Sequence, residues 1–467
     1  MPEMSNQQPV REMPTEEPLL SALEQINLNA AGIDIGANEH WVCVPNDRDA
    51  KNVQRFGCFT ADLHALANWI EQCGIQTVAM ESTGVYWIPL FQILESHGFE
   101  VNLVNAHFVK PVPGRKSDVL DCQWLQRLHT YGLLSGSFRP ENSVCVLRSY
   151  VRQRGNLIRS ATVHVQRMQK ALTQMNVQLH RVLTDITGSS GMAIIQAIVG
   201  GERDPQKLVL LCDPRVKRSR RDIAQALNGD YRAEHVFVLE QELLLYQTYR
   251  TQIIACDTRI NACLSEFDAQ VDLVQHPLPP LKNRRKKPTG NAPDFDLRSH
   301  LYRISGVDFT RIDGFDALTV QTLLSEVGLD PSRFPSAKHF TSWLGLCPGS
   351  HITGGKAKSS RTRRVVNRAA NALRLAAQSA GRSQTALGAF YRRLPALMGA
   401  PKAITATAHK LARIFYHLWT TREEYKDPGA DYYEQQYQQR VINNLRQKAR
   451  ALGFELTPNL PAQESVS

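Results

Sequence analysis

Four carboxylates in the first third of the chain have the types and spacing expected of a metal-binding site. Asp34 lies in AGIDIGANEHWVCV, Glu81 in TVAMESTGVYW, and Asp118 and Asp121 in GRKSDVLDCQWLQRL. Carboxylate oxygens are ligands that Mg²⁺ prefers, and Mn²⁺ can substitute for it. Two such ions can stabilise the attacking and leaving oxygens of a phosphodiester. The pattern therefore predicts metal-assisted chemistry on a nucleic-acid backbone.

Three of these acids also have a simpler explanation. Asp34 is a poor strand residue, but an edge strand could expose it to solvent. Asp118 and Asp121 share one face of a first helical turn, where the helix dipole stabilises acids in any protein. Arg115 and Lys116 precede them, and could either neutralise this charge or contact a phosphate. The residues alone leave these alternatives open.

The elements that must position the acids form an α/β pattern over residues 29–145. Predicted strands cover 31–36, 40–45, 53–59, 76–81 and 99–104, and predicted helices cover 61–73, 85–97 and 117–132. This order predicts a mixed sheet with helices packed on it. Glu81 ends a buried strand, which is where α/β sheets place their sites, and Ser117 is the predicted helix N-cap. A strand Asp, a later strand Glu and a helical Asp pair, in that order, are typical of an RNase H-like nuclease sheet.

The remainder of the chain predicts helical domains. Residues 146–300 contain two long helical patterns, 146–186 and 232–268, whose apolar spacing indicates a coiled-coil-like hairpin. The arginines of 148–167 could serve this spacer or touch nucleic acid. A basic, Pro-rich loop follows at 276–296, within a 270–297 insertion of unassigned role. Residues 301–425 are predicted to be a mostly helical domain, between a disordered tail at 1–28 and a polar tail at 426–467.

Charge distribution favours a nucleic-acid partner. The chain has a net charge of +11, and residues 331–422 contain no Asp or Glu but sixteen Lys or Arg. A solvated surface normally mixes both signs, so this stretch is expected to contact a polyanion. The nine cysteines have no zinc-type spacing, which suits a reduced cytoplasm. No apolar run is long enough for a membrane span.

A Gly-rich segment of this basic region carries hydroxyls between cations. Pro348, Gly349, Gly354 and Gly355 are expected to interrupt regular structure at 345–356. The hydroxyls are those of Ser350, Thr353, Ser359, Ser360 and Thr362, and the cations are Lys356, Lys358, Arg361, Arg363, Arg364 and Arg368. Such a hydroxyl could attack phosphorus while the cations hold the phosphate. Alternatively, the loop only grips phosphate. The two glycines of GVDFTRIDG, residues 306–314, likewise predict either a phosphate-approaching hairpin or a plain joint between helices.

Several of these segments resemble one family. AGIDIG, AMESTGVYW, GRKSDVLDCQWLQRL and WLGLCPGSHITGGKAKSSRTRRVVNR are similar to the DEDD-type transposases of bridge-RNA-guided insertion sequences, in the same order over most of residues 29–425. The resemblance implies a RuvC-like domain with an RNase H fold, a helical coiled-coil spacer and a C-terminal domain that supplies a serine nucleophile.

The resemblance also implies roles and partners. Asp34, Glu81, Asp118 and Asp121 would bind Mg²⁺, and strand exchange would join the element ends to target duplex DNA under the guidance of a structured RNA encoded by the element. A homodimer or homotetramer in the bacterial cytoplasm or nucleoid is expected. The family's serine precedes Gly-Gly-Lys, where this chain has Thr353, which is stiffer about its first side-chain torsion. The nucleophile is thus Thr353 or one of Ser350, Ser359 and Ser360.

Three other functions compete with this one. A metal-dependent nuclease of the Holliday-junction resolvase class would share the acids but not need the basic domain. An actin-like sugar kinase or ATPase also opens with GIDIG, but the later RIDGFDA at 311–317 lacks the following strand that such a fold needs. A non-catalytic binding protein would leave the four acids without a purpose.

Overall fold

The chain folds into two compact units. A computed structural model describes residues 23–105, 117–280, 290–349, 351–359, 361–363 and 365–457. The units are Met1–Arg139 and Pro140–Ser467. Within the described residues, no helix is long and apolar enough to cross a membrane.

The first unit is built on a five-stranded mixed sheet. Its strands are β1 (Ala30–Ile35), β2 (Glu39–Cys43), β3 (Val53–Gly57), β4 (Thr77–Glu81) and β5 (Glu100–Val104). Their order across the sheet is β3-β2-β1-β4-β5. The first three strands pair antiparallel, whereas β4 runs parallel to both β1 and β5. This topology confirms the predicted RNase H-like fold.

Three helices cover the sheet: α1 (Thr60–Gln72), α2 (Trp87–Ser96) and α3 (Asp118–Thr130). Every predicted strand and helix of this unit lies within two residues of its predicted bounds. The main core joins one face of the sheet, including Ile33 and Met80, to α1 and α2, including Leu66 and Leu90. Alternation along a strand sends every second residue to the opposite face, and there Ala79 packs against α3.

Two long helices pack against each other in the second unit. They are α4 (Asn142–Gln174) and α9 (Ala233–Glu266), and they pack antiparallel, as the contacts of Arg154 with Asp257 and His164 with Glu242 show. The predicted 146–186 helix extends too far. Asn176 adopts a left-handed φ of 55°, which ends α4, because a helix cannot continue through that conformation.

The arginines of α4 mainly form contacts within the second unit. Arg152 makes a two-point ion pair with Glu326, at 2.8 and 2.6 Å. Arg148 donates to the backbone carbonyl oxygens of residues 325 and 326, and Arg154 is buried against Asp257. Of the two alternatives for these side chains, the structure therefore favours the structural one for all three.

A small helical layer, which we call the cap subdomain (residues 175–232), joins the two long helices. Its helices are α5 (Leu179–Val182), α6 (Ser189–Val199), α7 (Pro205–Leu210) and α8 (Arg220–Ala226). Their apolar side chains form a core with the adjoining parts of α4 and α9, including Met168, Ile194 and Leu239. The chain between the long helices is thus a folded layer rather than a simple turn.

The last part of the chain is mostly helical, as predicted. It contains α10 (Leu297–Ser305), α11 (Ala317–Val327), α12 (Ala337–Trp343), α13 (Arg368–Ala380), α14 (Ala386–Met398), α15 (Ala400–Thr421) and α16 (Ala430–Ala451), with short 3₁₀ turns at Phe309–Arg311 and Pro331–Arg333. A cluster of aromatic rings, including Phe309, Phe340 and Phe415, fills the centre of this helical layer.

The Gly-rich interruption at 345–356 is partly regular structure. Strands β6 (His351–Thr353) and β7 (Lys356–Ser359) pair antiparallel, and we call this element the Gly-Gly hairpin. Gly354 and Gly355 form its turn, with φ of 57° and 74°. Two successive positive φ values match the right-handed twist of the flanking strands, so the glycines make the hairpin instead of ending it.

Candidate functional site

Asp34 and Glu81 lie side by side at the carboxyl edge of the parallel strand pair. Ile33 of β1 is level with Met80 of β4, so each acid is one residue beyond this matched pair. Ile33 and Met80 point into the main core, and alternation therefore directs both acids to the face that α3 covers. Both side chains are half-buried.

A glycine allows α3 to lie directly on this face. A Cβ at Gly32 would stand 2.3 Å from the backbone nitrogen of Gln126 and 2.4 Å from the carbonyl oxygen of Cys122. Only a residue without a side chain permits so close a contact between strand and helix. The first turn of α3 is thereby held near the carboxyl edge of the sheet.

The helical acids occupy that first turn. The hydroxyl of Ser117 accepts a hydrogen bond from the backbone N–H of Leu120 at 3.3 Å, so Ser117 is the N-cap that the sequence predicts. Asp118 is exposed and Asp121 is half-buried. Arg115 and Lys116 lie outside the described residues.

The pKa of Glu81 shows which acids lie close enough to influence it. Burial raises the pKa of Glu81 above its usual value, and the charges of Asp34 and Asp121 raise it further. The three carboxylates thus share a region of excess negative charge. A bound cation would oppose this shift, because it favours the ionised form of a nearby acid.

The acids neighbour one another without forming a ready-made coordination shell. In the part of the chain that the structure describes, no three His, Cys, Asp or Glu side chains are close enough to hold one ion. The donor set consists of carboxylate oxygens, which fits Mg²⁺ or Mn²⁺ rather than a soft metal. The residues therefore fit the implied ion in chemistry and in charge.

The Gly-Gly hairpin presents Thr353 beside its turn. Thr353 is level with Lys356 across the two-residue loop, and both are exposed. A Cβ built at either turn glycine meets no atom within 4 Å, so the tip projects into open space. The hydroxyl of Ser359 instead accepts a hydrogen bond from the backbone N–H of Arg361 at 3.3 Å. Ser350 and Ser360 lie outside the described residues.

The cations around this hairpin divide into two kinds. Arg363 is an anchor, since its guanidinium donates to the carbonyl oxygen of Ser342 at 2.7 Å. The other described cations of the predicted set are exposed, and in the described chain none of them has an ion pair: Lys356, Lys358, Arg361 and Arg368. Arg364 lies outside the described residues. On the part of the hairpin that the structure describes, the hydroxyl of Thr353 has no hydrogen bond and lies among cations without ion pairs.

Gly314 lies at a joint between helices. Gly314 has a φ of 91°, and a Cβ there would lie 2.3 Å from the carbonyl oxygen of Ala376 in α13. The close approach that this glycine allows is therefore to a neighbouring helix. Of the two alternatives, the structure favours the plain joint.

Comparisons with known proteins match both halves of this arrangement. A family model for the DEDD transposase domain of IS110 elements, described as a transposase, matches residues 31–177. A second model, described as "Transposase IS116/IS110/IS902 family", matches residues 308–392. Two segments of the chain are thus similar to transposases of the IS110 family. Both descriptions name a transposase, which is a class of DNA-rearranging enzyme.

A curated relative of this chain comes from Sinorhizobium fredii (strain NBRC 101917 / NGR234). It is named as a transposase, y4pF/y4sB, and is 31% identical over 108 residues, a match that covers 21% of this chain. The match spans 27% of the relative, about a quarter of its length. Residues 178–307, which include the cap subdomain from Gln178 onward, lie between the two family matches.

Proposed function

We propose that this transposase cleaves and joins DNA by metal-assisted strand exchange, with the hydroxyl of Thr353 as nucleophile and a structured RNA of the element as guide. The observation that carries the metal-assisted part is the pairing of Asp34 with Glu81 on the face covered by α3. The family matches support the DNA substrate. RNA guidance is inferred from the resemblance of the sequence motifs.

The acidic set has one role in this proposal. Asp34, Glu81 and Asp121, with Asp118 on the same helical turn, would hold Mg²⁺ or Mn²⁺. Such an ion supplies Lewis-acid stabilisation of charge on phosphate oxygens. The pKa of Glu81 is raised first by burial and then by the charges of Asp34 and Asp121. This supports the proposed role, because a cation would favour the ionised form of such an acid.

Thr353 has the second role. Its hydroxyl oxygen attacks phosphorus and loses its proton, a Thr–phosphate ester forms, and the bond to one deoxyribose oxygen breaks. The released strand end takes up a proton and leaves as a hydroxyl. Attack by the hydroxyl of another strand end then forms the new phosphodiester and restores Thr353. The exposed cations Lys356, Lys358 and Arg361 would hold the phosphate during both steps.

A second copy of the chain is the proposed protein partner. The N-terminal half of α9 exposes four large apolar side chains at spacings of one and seven residues, which place them on one side of the helix: Phe237, Val238, Leu244 and Leu245. A helical face of this kind can pair with its own copy about a twofold axis. We therefore propose a homodimer, or a tetramer made of two such dimers, acting on cytoplasmic DNA.

Two substitutions in the full-length protein test the chemistry. Asp34→Asn should retain DNA binding in EDTA and lose strand cleavage with Mg²⁺, by on the order of a hundredfold or more. Thr353→Val should lose a protein–DNA ester that wild type forms and that resists denaturant. Asp47→Asn, an exposed acid of the same unit, is the matched control.

The outcomes separate the competing functions. Cleavage at the wild-type rate by Asp34→Asn would remove this residue from the metal site. Full cleavage by Thr353→Val, without a trapped ester, would favour a nuclease of the Holliday-junction resolvase class. A trapped ester that persists in Thr353→Val would move the nucleophile to another hydroxyl, such as Ser350, Ser359 or Ser360.

A further inference from the structure

A dense group of cations lies in the cap subdomain, in the stretch between the two family matches. Four of five consecutive residues are basic and exposed, and we call them the cap patch: Lys217, Arg218, Arg220 and Arg221. These residues lie outside the acid-free stretch of 331–422.

The cap patch differs from three basic residues of the same subdomain in lacking carboxylate partners. Nearby cations of the subdomain are paired: Arg215 with Asp213 at 2.6 Å, Arg232 with Glu234 at 2.6 Å and Lys207 with Glu202 at 3.5 Å. Within the described chain, by contrast, no ion pair or hydrogen bond involves a side chain of the patch. Asp222 follows the patch directly, is exposed, and forms no described ion pair with it.

The backbone that presents these cations is held in place from both sides. The N–H of Asp213 donates to the hydroxyl of Ser190 at 2.8 Å, and the N–H of Val216 donates to the carbonyl oxygen of Asp213 at 2.9 Å. On the other side, the hydroxyl of Ser219 caps α8 by accepting from the N–H of Asp222 at 3.0 Å. Ile223 then anchors the helix in the core of the subdomain.

This arrangement is electrostatically unfavourable for the protein alone. Arg220 and Arg221 are the first residues of α8, where the helix dipole repels cations. Lys217 and Arg218 add two like charges within the preceding turn. Folding stability therefore does not account for the patch, whereas a polyanion would relieve its repulsion.

We propose that the cap patch binds the phosphate backbone of a nucleic acid. A transposase meets nucleic acids as its substrates, and closely spaced cations without ion pairs match a run of phosphates. The inference relies on the proposed function only in that the protein acts on nucleic acid; it does not depend on the acids or on Thr353. Duplex DNA and a folded RNA share this backbone chemistry, and the experiment below separates them.

The test compares two triple variants of the full-length protein. One removes unpaired cations, Lys217→Ala, Arg218→Ala and Arg221→Ala, and the matched control removes paired ones, Lys207→Ala, Arg215→Ala and Arg232→Ala. Fluorescence anisotropy measures binding to a duplex DNA and to an RNA hairpin of equal phosphate number, in EDTA, over a series of salt concentrations. Circular dichroism checks that both variants are folded.

Loss of three phosphate contacts should reduce the slope of log Kd against log salt by roughly two to three, and should weaken binding on the order of tenfold or more at physiological salt. A change confined to DNA assigns the patch to DNA, a change confined to RNA assigns it to RNA, and a change in both assigns it to the shared backbone. Slopes equal to those of the paired-cation control would overturn the proposal.

The proposed strand-exchange chemistry and the proposed phosphate binding by the cap patch can be disproved separately. Thr353→Val, measured in the same assay, should keep the wild-type salt slope, because it removes no charge. If wild type binds and the patch variant binds equally well, only the patch proposal is overturned. If wild type binds neither nucleic acid, the proposed function is overturned with it.

Discussion

At the scale of single residues, the carboxylates of the first unit are held in a costly arrangement. Glu81 is half-buried, and the charges of Asp34 and Asp121 act on it. Like charges gathered away from water destabilise a fold unless a counter-charge joins them. A cation bound beside Glu81 would favour the ionised form of this acid and lower its pKa.

The raised pKa of Glu81 predicts a pH dependence. An acid whose folded pKa lies above its unfolded pKa stabilises the fold when protonated, so this contribution is present below the unfolded pKa and is lost as pH rises through the folded pKa. The free energy of unfolding of the metal-free protein should therefore fall over that window. Urea unfolding at several pH values, in EDTA, measures it.

Glu81→Gln is the matched variant for this prediction, since an amide of the same shape does not titrate. The fall in stability between mildly acidic and neutral pH should be smaller in Glu81→Gln than in wild type. Equal pH profiles for the two proteins would show that folding does not raise the pKa of Glu81.

At the scale of elements, the contact between β1 and α3 positions the site. Gly32 touches the backbone of α3, and the acids of that helix lie in its first turn. The alternation of β1 then places Asp34 on the same face as Gly32. The packing of α3 against Gly32 thus positions three carboxylates, those of Asp34, Asp118 and Asp121.

Gly32→Ala should move α3 away from the sheet. Because a Cβ has no room between strand and helix, overpacking should destabilise the first unit by about 1–3 kcal/mol. Mg²⁺ should raise the melting temperature of wild type, and this rise should be smaller in Gly32→Ala, since the acids separate. Differential scanning fluorimetry with and without MgCl₂ measures both effects.

Gly155→Ala is the control, because a Cβ in that part of α4 meets no atom within 4 Å. It should raise stability by about 0.5–1 kcal/mol through the lower entropy of the unfolded chain. If Gly32→Ala were as stable and as responsive to Mg²⁺ as wild type, the close contact would not position the acids.

At the scale of the whole molecule, the two units have separate cores and separate chemistry. The sheet unit carries the acids, and the helical unit carries the Gly-Gly hairpin and the cap patch. A buried ion pair, Arg154 with Asp257, joins α4 to α9 in the second unit. The guanidinium of Arg154 also donates to the carbonyl oxygen of Asn291 at 2.7 Å.

Asp257→Asn should destabilise only the second unit. Removing one partner leaves the charge of Arg154 buried without compensation, which costs about 3–5 kcal/mol. Hydrogen exchange followed by mass spectrometry should show faster exchange in α4 and α9 and unchanged exchange in β1 and β4. Asp268→Asn, at an exposed position, should change neither. Equal loss of protection in both units would show that they unfold together.

The fold of the first unit could be predicted closely from the sequence. Strand and helix periodicity is a local property, and the five strands, three helices and the Ser117 cap of that unit occur where the residues indicate. The fold of the second unit was harder to predict from the sequence. The end of α4 depends on the left-handed Asn176, and the Gly-Gly hairpin depends on two glycines whose turn type signals pairing only when short strands flank them.

By itself, the sequence determined which residues could do chemistry: the four acids, the hydroxyls near Gly354 and the acid-free basic stretch, because residue type sets charge and nucleophilicity. Only the tertiary structure decided which of them meet. Strand register brought Asp34 level with Glu81, and packing turned Arg152 and Arg154 into internal partners of Glu326 and Asp257. Contacts between residues far apart in the chain depend on how whole elements pack, and local residue patterns do not encode that packing.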